Sequence, residues 1–236
     1  MSEMRMIIRT IVMVYIIVLS FNVSYADRLG LWSTIQASCK LIDGFTTGAS
    51  EEIRAGTHKD ESPKHIDELH STVFIDWRAL SFLSLGIQDD LVCLRNNSDA
   101  RYRHDNRPGL NAALHASSHG WSFMNRSRFI MRDLQDARSY FRYRNLSKVV
   151  APSICSFKNV ESIRPYVSYE WYFDEGNHDI CIRKGDKFSQ FWTDFGLQIK
   201  LSKACSMSLF YRLVEVKSDE AWNPLHVVGT SLSFSF

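Results

Sequence analysis

The sequence predicts an all-β fold: an antiparallel up-and-down transmembrane β-barrel of about ten strands, with twelve as the alternative. Three observations carry that expectation. The closing stretch His226–Phe236 sets Val228, Leu232, Phe234 and Phe236 against Gly229, Ser231, Ser233 and Ser235. One greasy face and one wet face suit a wall between lipid and water. The same period-two alternation recurs through the chain. The first residues read as an export signal.

That signal is Met1–Ala26. Arg5 and Arg9 make a positive start, Ile11–Phe21 is mostly apolar, and Ser24-Tyr25-Ala26 offers small residues at a cleavage site before Asp27. The apolar run is short of the roughly 20 residues a membrane-crossing helix needs, and no basic stop-transfer cluster follows. The expected organisation is a signal peptide over residues 1–26 and one barrel domain over 27–236. The expected location is the bacterial outer membrane, reached after the signal is cleaved.

The strands follow in order. Arg28–Leu41 sets Leu29, Leu31, Ile35, Ala37 and Leu41 against Thr34, Gln36, Ser38 and Lys40. Thr72–Leu85 alternates less cleanly, with Val73, Ile75 and Trp77 opposite Asp76 and Arg78, and Gln88–Arg95 is a short candidate. Pro108–Ser118 and Trp121–Asp133 flank a tight His119-Gly120 turn. Tyr140–Val150, Arg164–Asp174, Phe188–Leu201 and Cys205–Val216 keep the pattern, and the closing stretch completes it. These segments meet the roughly 9–11 residues a tilted barrel strand needs.

The connections sort into two sets, as outer-membrane barrels require. Starting inside, the outer loops are Ile42–Ser71, Asn96–Arg107, Leu134–Ser139, Glu175–Lys187 and Lys217–Pro224. The inner turns are Gly86-Ile87, His119-Gly120, Ala151–Ile163 and Ser202–Ala204. An even strand number brings the C-terminus back to the side of the N-terminus.

Bulk properties narrow the classes. A net charge of +2 is too mild to imply nucleic-acid binding. A mean hydropathy of −0.19 does not exclude a membrane barrel, because alternating strands average apolar against polar. The six tryptophans suit the two lipid–water boundaries or an ordinary β-rich core. The five cysteines, Cys39, Cys93, Cys155, Cys181 and Cys205, show no CxxC pair and no metal spacing. Most read as small apolar residues, and a Cys155–Cys205 bridge on one side is feasible. A soluble sandwich or lipocalin-like barrel is the competing fold, but its interior face would be the apolar one. Here arginine follows arginine opposite the aromatics.

Several stretches occur in the order of a known family: Arg107–Asn111, Asn125–Arg128, Tyr140–Asn145, Arg164–Glu170 and Val228–Phe236. On these the chain resembles the uncharacterised bacterial outer-membrane barrels of the domain of unknown function DUF2490, from about Trp32 to the end and best from Arg107 onward. The resemblance implies an outer-membrane location and brings no activity with it. The region from Ile42 to Asn106 departs most from it.

The candidate site is the interior. Arg126, Arg128, Arg132, Arg142, Arg144, Lys148 and Arg212 fall on the wet face, as do Asp76, Glu170 and Asp194. Two adjoining arginine ladders make a positive wall. Such a wall suits a narrow channel for small acidic solutes. The same residues also suit a non-conducting barrel sealed by salt bridges. Trp121, Tyr169, Trp171, Phe234 and Phe236 are the expected membrane-interface aromatics. A third reading is a lipid esterase using His115 and Ser117, two apart on one strand face. It lacks a third orienting group, so an enzyme is the less favoured class. The charged Ile42–Ser71 stretch reads as a solvated loop, a surface for binding. His58, His65 and His70 in it match no ligand spacing, so no metal and no cofactor are expected. The expected partners are outer-membrane lipid, the barrel-assembly machinery through the C-terminal strand, and an unidentified small solute.

Overall fold

The computed structural model describes residues 29–56, 66–95, 102–135, 139–157, 160–175, 188–218 and 221–236. The signal-peptide reading over 1–26 lies outside the described residues, as do His58, His65 and Cys181. The described chain forms thirteen strands: β1 (Leu29–Ile42), β2 (Phe45–Ala55), β3 (Ile66–Leu80), β4 (Leu83–Arg95), β5 (Tyr102–Asn106), β6 (Gly109–Ser118), β7 (Trp121–Leu134), β8 (Tyr140–Val150), β9 (Cys155–Phe157), β10 (Val160–Glu175), β11 (Phe188–Lys200), β12 (Cys205–Ser218) and β13 (Ala221–Ser235).

Eleven of them close a cylinder. The ring runs β1-β2-β3-β4-β6-β7-β8-β10-β11-β12-β13 and returns to β1. Two short strands stand outside it. β5 prolongs the wall between β4 and β7, and β9 pairs with β10. Closure leaves no free edge, so the wall's backbone groups are paired internally.

The strand number differs from the expected ten or twelve, and β2 is the reason. Its stretch, Phe45–Ala55, carries polar residues on both faces: Thr46, Ser50, Glu52 and Arg54 on one, Thr47 and Glu51 on the other. Alternation was therefore invisible there, and Ile42–Ser71 looked like a loop. It holds all of β2 and the start of β3. In an odd ring of otherwise antiparallel strands, the first and last must run the same way. β1 and β13 do so, in register from Leu29↔His226 to Ser38↔Ser235.

Other boundaries shift in the same region. The Gly86-Ile87 turn lies inside β4, and the chain reverses at Ser81-Phe82. Asn96–Arg107 holds β5, and Ala151–Ile163 holds β9 and the start of β10. Lys217–Pro224 is nearly all strand, because β12 and β13 stay paired to Ser218↔Ala221.

The cylinder has two unlike ends. Tight reversals at Asp43-Gly44, Ser81-Phe82, His119-Gly120 and Ser202–Ala204 gather at one, together with Phe236. His119 and Gly120 both take positive φ, 49° and 82°, the backbone shape of a two-residue hairpin turn that matches strand twist. Most of the longer connections gather at the other end, where β1 begins, while the β8-to-β10 link with β9 stays at the tight-turn end. The termini of the described chain therefore lie at opposite ends, contrary to the even-numbered expectation.

Side chains follow strand parity. In β1, Trp32 is 4% exposed while Leu31 and Ile35 are 42% and 56% exposed on the outside. Val73, Ile75, Leu85, Ile87, Leu110, Leu114, Phe123, Phe129, Val167 and Phe195 join them on the outer wall. Self-satisfied polar groups interrupt this wall, on β2 and β3, where Ser71 donates to Glu51 at 2.9 Å, and on β7 and β8. Asn125 donates to Asn145 at 3.0 Å and to Ser147 at 2.9 Å, and Asn145 donates to Ser127 at 3.0 Å.

Candidate functional site

The inward face carries the chemistry. Parity turns Arg126, Arg128 and Arg132 of β7, Arg142, Arg144 and Lys148 of β8, and Arg212 of β12 into the lumen. The register then decides which of them find a carboxylate. Asp174 lies opposite Arg142, which grips it with two bonds of 2.6 and 2.7 Å. Arg144 holds Glu170 with two of 3.1 Å, and the Tyr172 hydroxyl donates to the same carboxylate at 2.9 Å. Asp194 lies opposite Arg212 and takes its fork at 2.5 and 2.8 Å, with Ser168 donating at 3.1 Å. Arg132 reaches Asp105 of β5, which Arg107 also grips at 2.7 Å. Two-pronged guanidinium–carboxylate contacts fix geometry as well as charge.

A second ionic cluster occupies β2, β3 and β4, and Glu52, Arg54, Glu68 and His70 of it fall in the Ile42–Ser71 stretch expected to be a loop. Arg54 bridges Glu52 at 2.6 Å and Glu68 at 2.8 Å. His70 sits between Glu68 at 2.8 Å and Asp90 at 3.4 Å, and Thr72 donates to Asp90 at 3.0 Å. His70 is thus a buried link in a hydrogen-bonded chain between Glu68 and Asp90. Among the described residues no group of three or more side chains is placed to hold a metal ion.

Between the clusters lies an aromatic centre. Trp32 meets Trp192 edge-on at 5.2 Å between ring centroids, and Tyr172 meets Trp192 at 4.7 Å. Three guanidinium groups stack on these rings: Arg54 at 4.2 Å from Trp32, Arg212 at 4.6 Å from Trp192, and Arg144 at 4.6 Å from Tyr172. Cations over aromatic faces are attracted by the ring quadrupole, more so out of water. Trp32 stands on β1 and Trp192 on β11, three places apart in the ring, and Arg54 of β2 also reaches Trp192 at 5.4 Å. These contacts cross one side of the lumen, from β11 to β1 and β2. Sequence reading missed this centre, although a signal existed: each ring falls on the wet parity of its own strand.

Arg126 and Arg128 are placed differently. Arg128 lies opposite another arginine, Arg144, and Arg126 lies opposite Leu146. The Nε of each is buried with no hydrogen-bond partner among the described residues. Lys148 rests on the Tyr166 ring at 3.9 Å. Asp76 lies over Gly86, so close that an added Cβ at Gly86 would overlap its carboxylate.

The remaining candidates sit as follows. Trp121 and Phe236 lie on the outside at the tight-turn end, with Phe234 stacked beside Phe236 at 6.5 Å. Tyr169 and Trp171 lie on the outer wall near the middle of β10, and Trp171 packs on Tyr143 at 5.2 Å. His115 and Ser117 both face inward, but His115 Nε2 approaches Ser84 of β4 at 3.5 Å, not Ser117. Cys155 and Cys205 are free thiols, so the feasible bridge between them is not formed. A recess of about 290 Å³ opens at the tight-turn end, lined by Ser38, Arg164, Gln198, Lys200, Cys205 and Ser233 among others. Two of its three cations are occupied: Arg164 donates to the Gly120 and Ala151 carbonyls, and Lys200 pairs with Glu161 at 2.6 Å.

Comparison with known proteins adds three findings. A family model described as a protein of unknown function (DUF2490) matches residues 29–223. No curated protein matches the chain. Among solved structures, LpxR from Salmonella typhimurium is similar, at 10% identity and a TM-score of 0.49, over 81% of this chain and 83% of that one.

Proposed function

The chain belongs to the DUF2490 family, and we propose that it is an outer-membrane barrel with a closed, non-conducting interior that works through its ends and inner surface. The outer wall supports the membrane setting. Its exposed Leu, Ile, Val and Phe side chains face away from the lumen, where lipid would cover them. The difference between tight reversals at one end and longer connections at the other fits an inner and an outer side.

One observation carries the closed interior: Trp32, Tyr172 and Trp192, from β1, β10 and β11, meet inside the lumen and are clamped by Arg54, Arg144 and Arg212, each tied to a carboxylate. A barrel of this size has little interior to spare. An ion-pair network with aromatic filling occupies its ringed side, where each guanidinium on a ring also holds a carboxylate.

Conductance tests this reading. Pure folded protein in planar bilayers is expected to give no steps above leak. Removing two rings, with Trp32→Ala and Trp192→Ala together, is expected to open a measurable current. A second reading, the narrow channel for acidic solutes, is favoured by the unmatched Arg126 and Arg128. Anion-selective steps from the wild-type protein would establish it and overturn the closed barrel.

A further inference from the structure

We propose that Arg126 and Arg128 form an internal binding site for a small oxyanion, of the phosphate or carboxylate kind, loaded from the tight-turn end. The site goes beyond the closed-barrel reading and needs no continuous pore.

The argument starts from charge. A cation out of water is costly unless paired and hydrogen-bonded. Glu170, Asp174 and Asp194, the carboxylates of the neighbouring wall, are each committed to another arginine. Arg128 stands within electrostatic reach of two like charges, Arg126 and Arg144. Glu170 attracts both Arg126 and Arg128, but its two oxygens already hold Arg144 and Tyr172. One further acid stands near: the Asp76 carboxylate of β3 attracts Arg126 but lies over Gly86 beside Asn111, with no ion pair to either arginine among the described residues. Donors outnumber acceptors in this corner. Each unmatched Nε belongs to a planar fork, a shape that fits the paired oxygens of a phosphate or carboxylate.

Space points the same way. On the β6 side the two arginines face short side chains. Arg126 lies opposite Ala113, Arg128 lies opposite Asn111, and behind Asn111 comes Gly86. The other half of the lumen carries tryptophans at comparable depth. From Arg126 toward the tight turns the inward residues are His115 and Ser117 of β6, Ser84 of β4, and Met124 and Ser122 of β7. Most are small or polar, and Lys148 stands on the same path opposite Met124. An anion entering from that end passes groups that attract or tolerate it and meets the aromatic centre as a stop.

The test is titration of the folded barrel in detergent micelles with inorganic phosphate, against chloride at matched ionic strength. Saturable binding of about one phosphate per barrel is expected, with a rise in Tm that chloride does not reproduce. Acetate run in parallel separates the two sources: a matching rise means a general oxyanion site, and no rise means a phosphate site. The double variant R126Q/R128Q is expected to bind at least about tenfold more weakly, the scale of losing charge-assisted hydrogen bonds. In phosphate-free buffer it is expected to melt no lower than wild type, since it removes two neighbouring like charges whose buried Nε atoms are unmatched. Should it fail to fold, R128K keeps the charge, loses the fork, and is expected to weaken binding alone. No saturable binding of phosphate or acetate, or an equal Tm rise with chloride, overturns the site and leaves lumen water as the partner. A double variant that melts lower than wild type without phosphate overturns it too. None of these results depends on conductance, so the site and the closed barrel fail separately.

Discussion

The two halves of the lumen solve the same problem in opposite ways. Around β10, β11, β12, β1 and β2, large rings fill the space, and every arginine that touches them also holds a carboxylate. Along β6 the inward side chains are mostly small (Gly109, Asn111, Ala113 and Ser117), and two arginines of the adjoining β7 stand with unmatched Nε atoms. The difference teaches that filling and pairing go together. A ring holds a guanidinium plane at a fixed height, so one carboxylate across the strand gap can meet it squarely. Without rings, the fork has room and no fixed partner.

The comparison breaks most clearly at the carboxylates. Glu170→Ala removes the partner of Arg144 in the filled half and strands a buried cation beside Arg126 and Arg128. The expected loss is about 3–5 kcal/mol, read by denaturant unfolding of the barrel in lipid vesicles. An unchanged midpoint would mean that water reaches this carboxylate and that the half is not filled.

Glycines sharpen the contrast at smaller scale. A Cβ at Gly196 would stand 2.6 Å from the Tyr166 ring and 2.6 Å from the Leu209 carbonyl oxygen, neither free to move. At Gly86 the obstacles are the ends of Asp76 and Asn111, which can swing into the emptier half. Gly196→Ala is expected to cost about 1–3 kcal/mol, the usual penalty of overpacking, and Gly86→Ala distinctly less. Equal losses in the same unfolding assay would erase the distinction between the halves.

Much of this was legible in the sequence. Where one face is aromatic and the other charged, as in Trp121–Asp133 and Tyr140–Val150, the strands and their inward arginines follow from parity alone. Phe45–Ala55 was illegible because Glu51 and Thr47 face outward beside inward Glu52 and Arg54, so neither face is apolar. Missing that strand cost both the odd number and the parallel seam between β1 and β13. It also hid the Arg54–Glu68–His70–Asp90 chain. The pairing pattern was illegible for another reason. Parity says that Arg128 and Glu170 both face inward, but only register says that Arg128 meets Arg144 while Asp174 meets Arg142. Trp32, Tyr172 and Trp192 could have been found. Large rings on the wet parity of three strands signal a filled interior.

The most direct test of a cylinder with oil outside and a ringed, charged plug inside is quenching of single tryptophans. Variants that keep only Trp121 or only Trp32, the other tryptophans replaced by Phe, are reconstituted in vesicles with brominated lipid chains or with acrylamide in the water. Trp121 is expected to be quenched by the brominated lipid. Trp32, which is 4% exposed and packed on Trp192 and Arg54, is expected to be quenched by neither. Efficient quenching of Trp32 by acrylamide would mean an open lumen, and quenching by brominated lipid would mean that the wall is turned inside out.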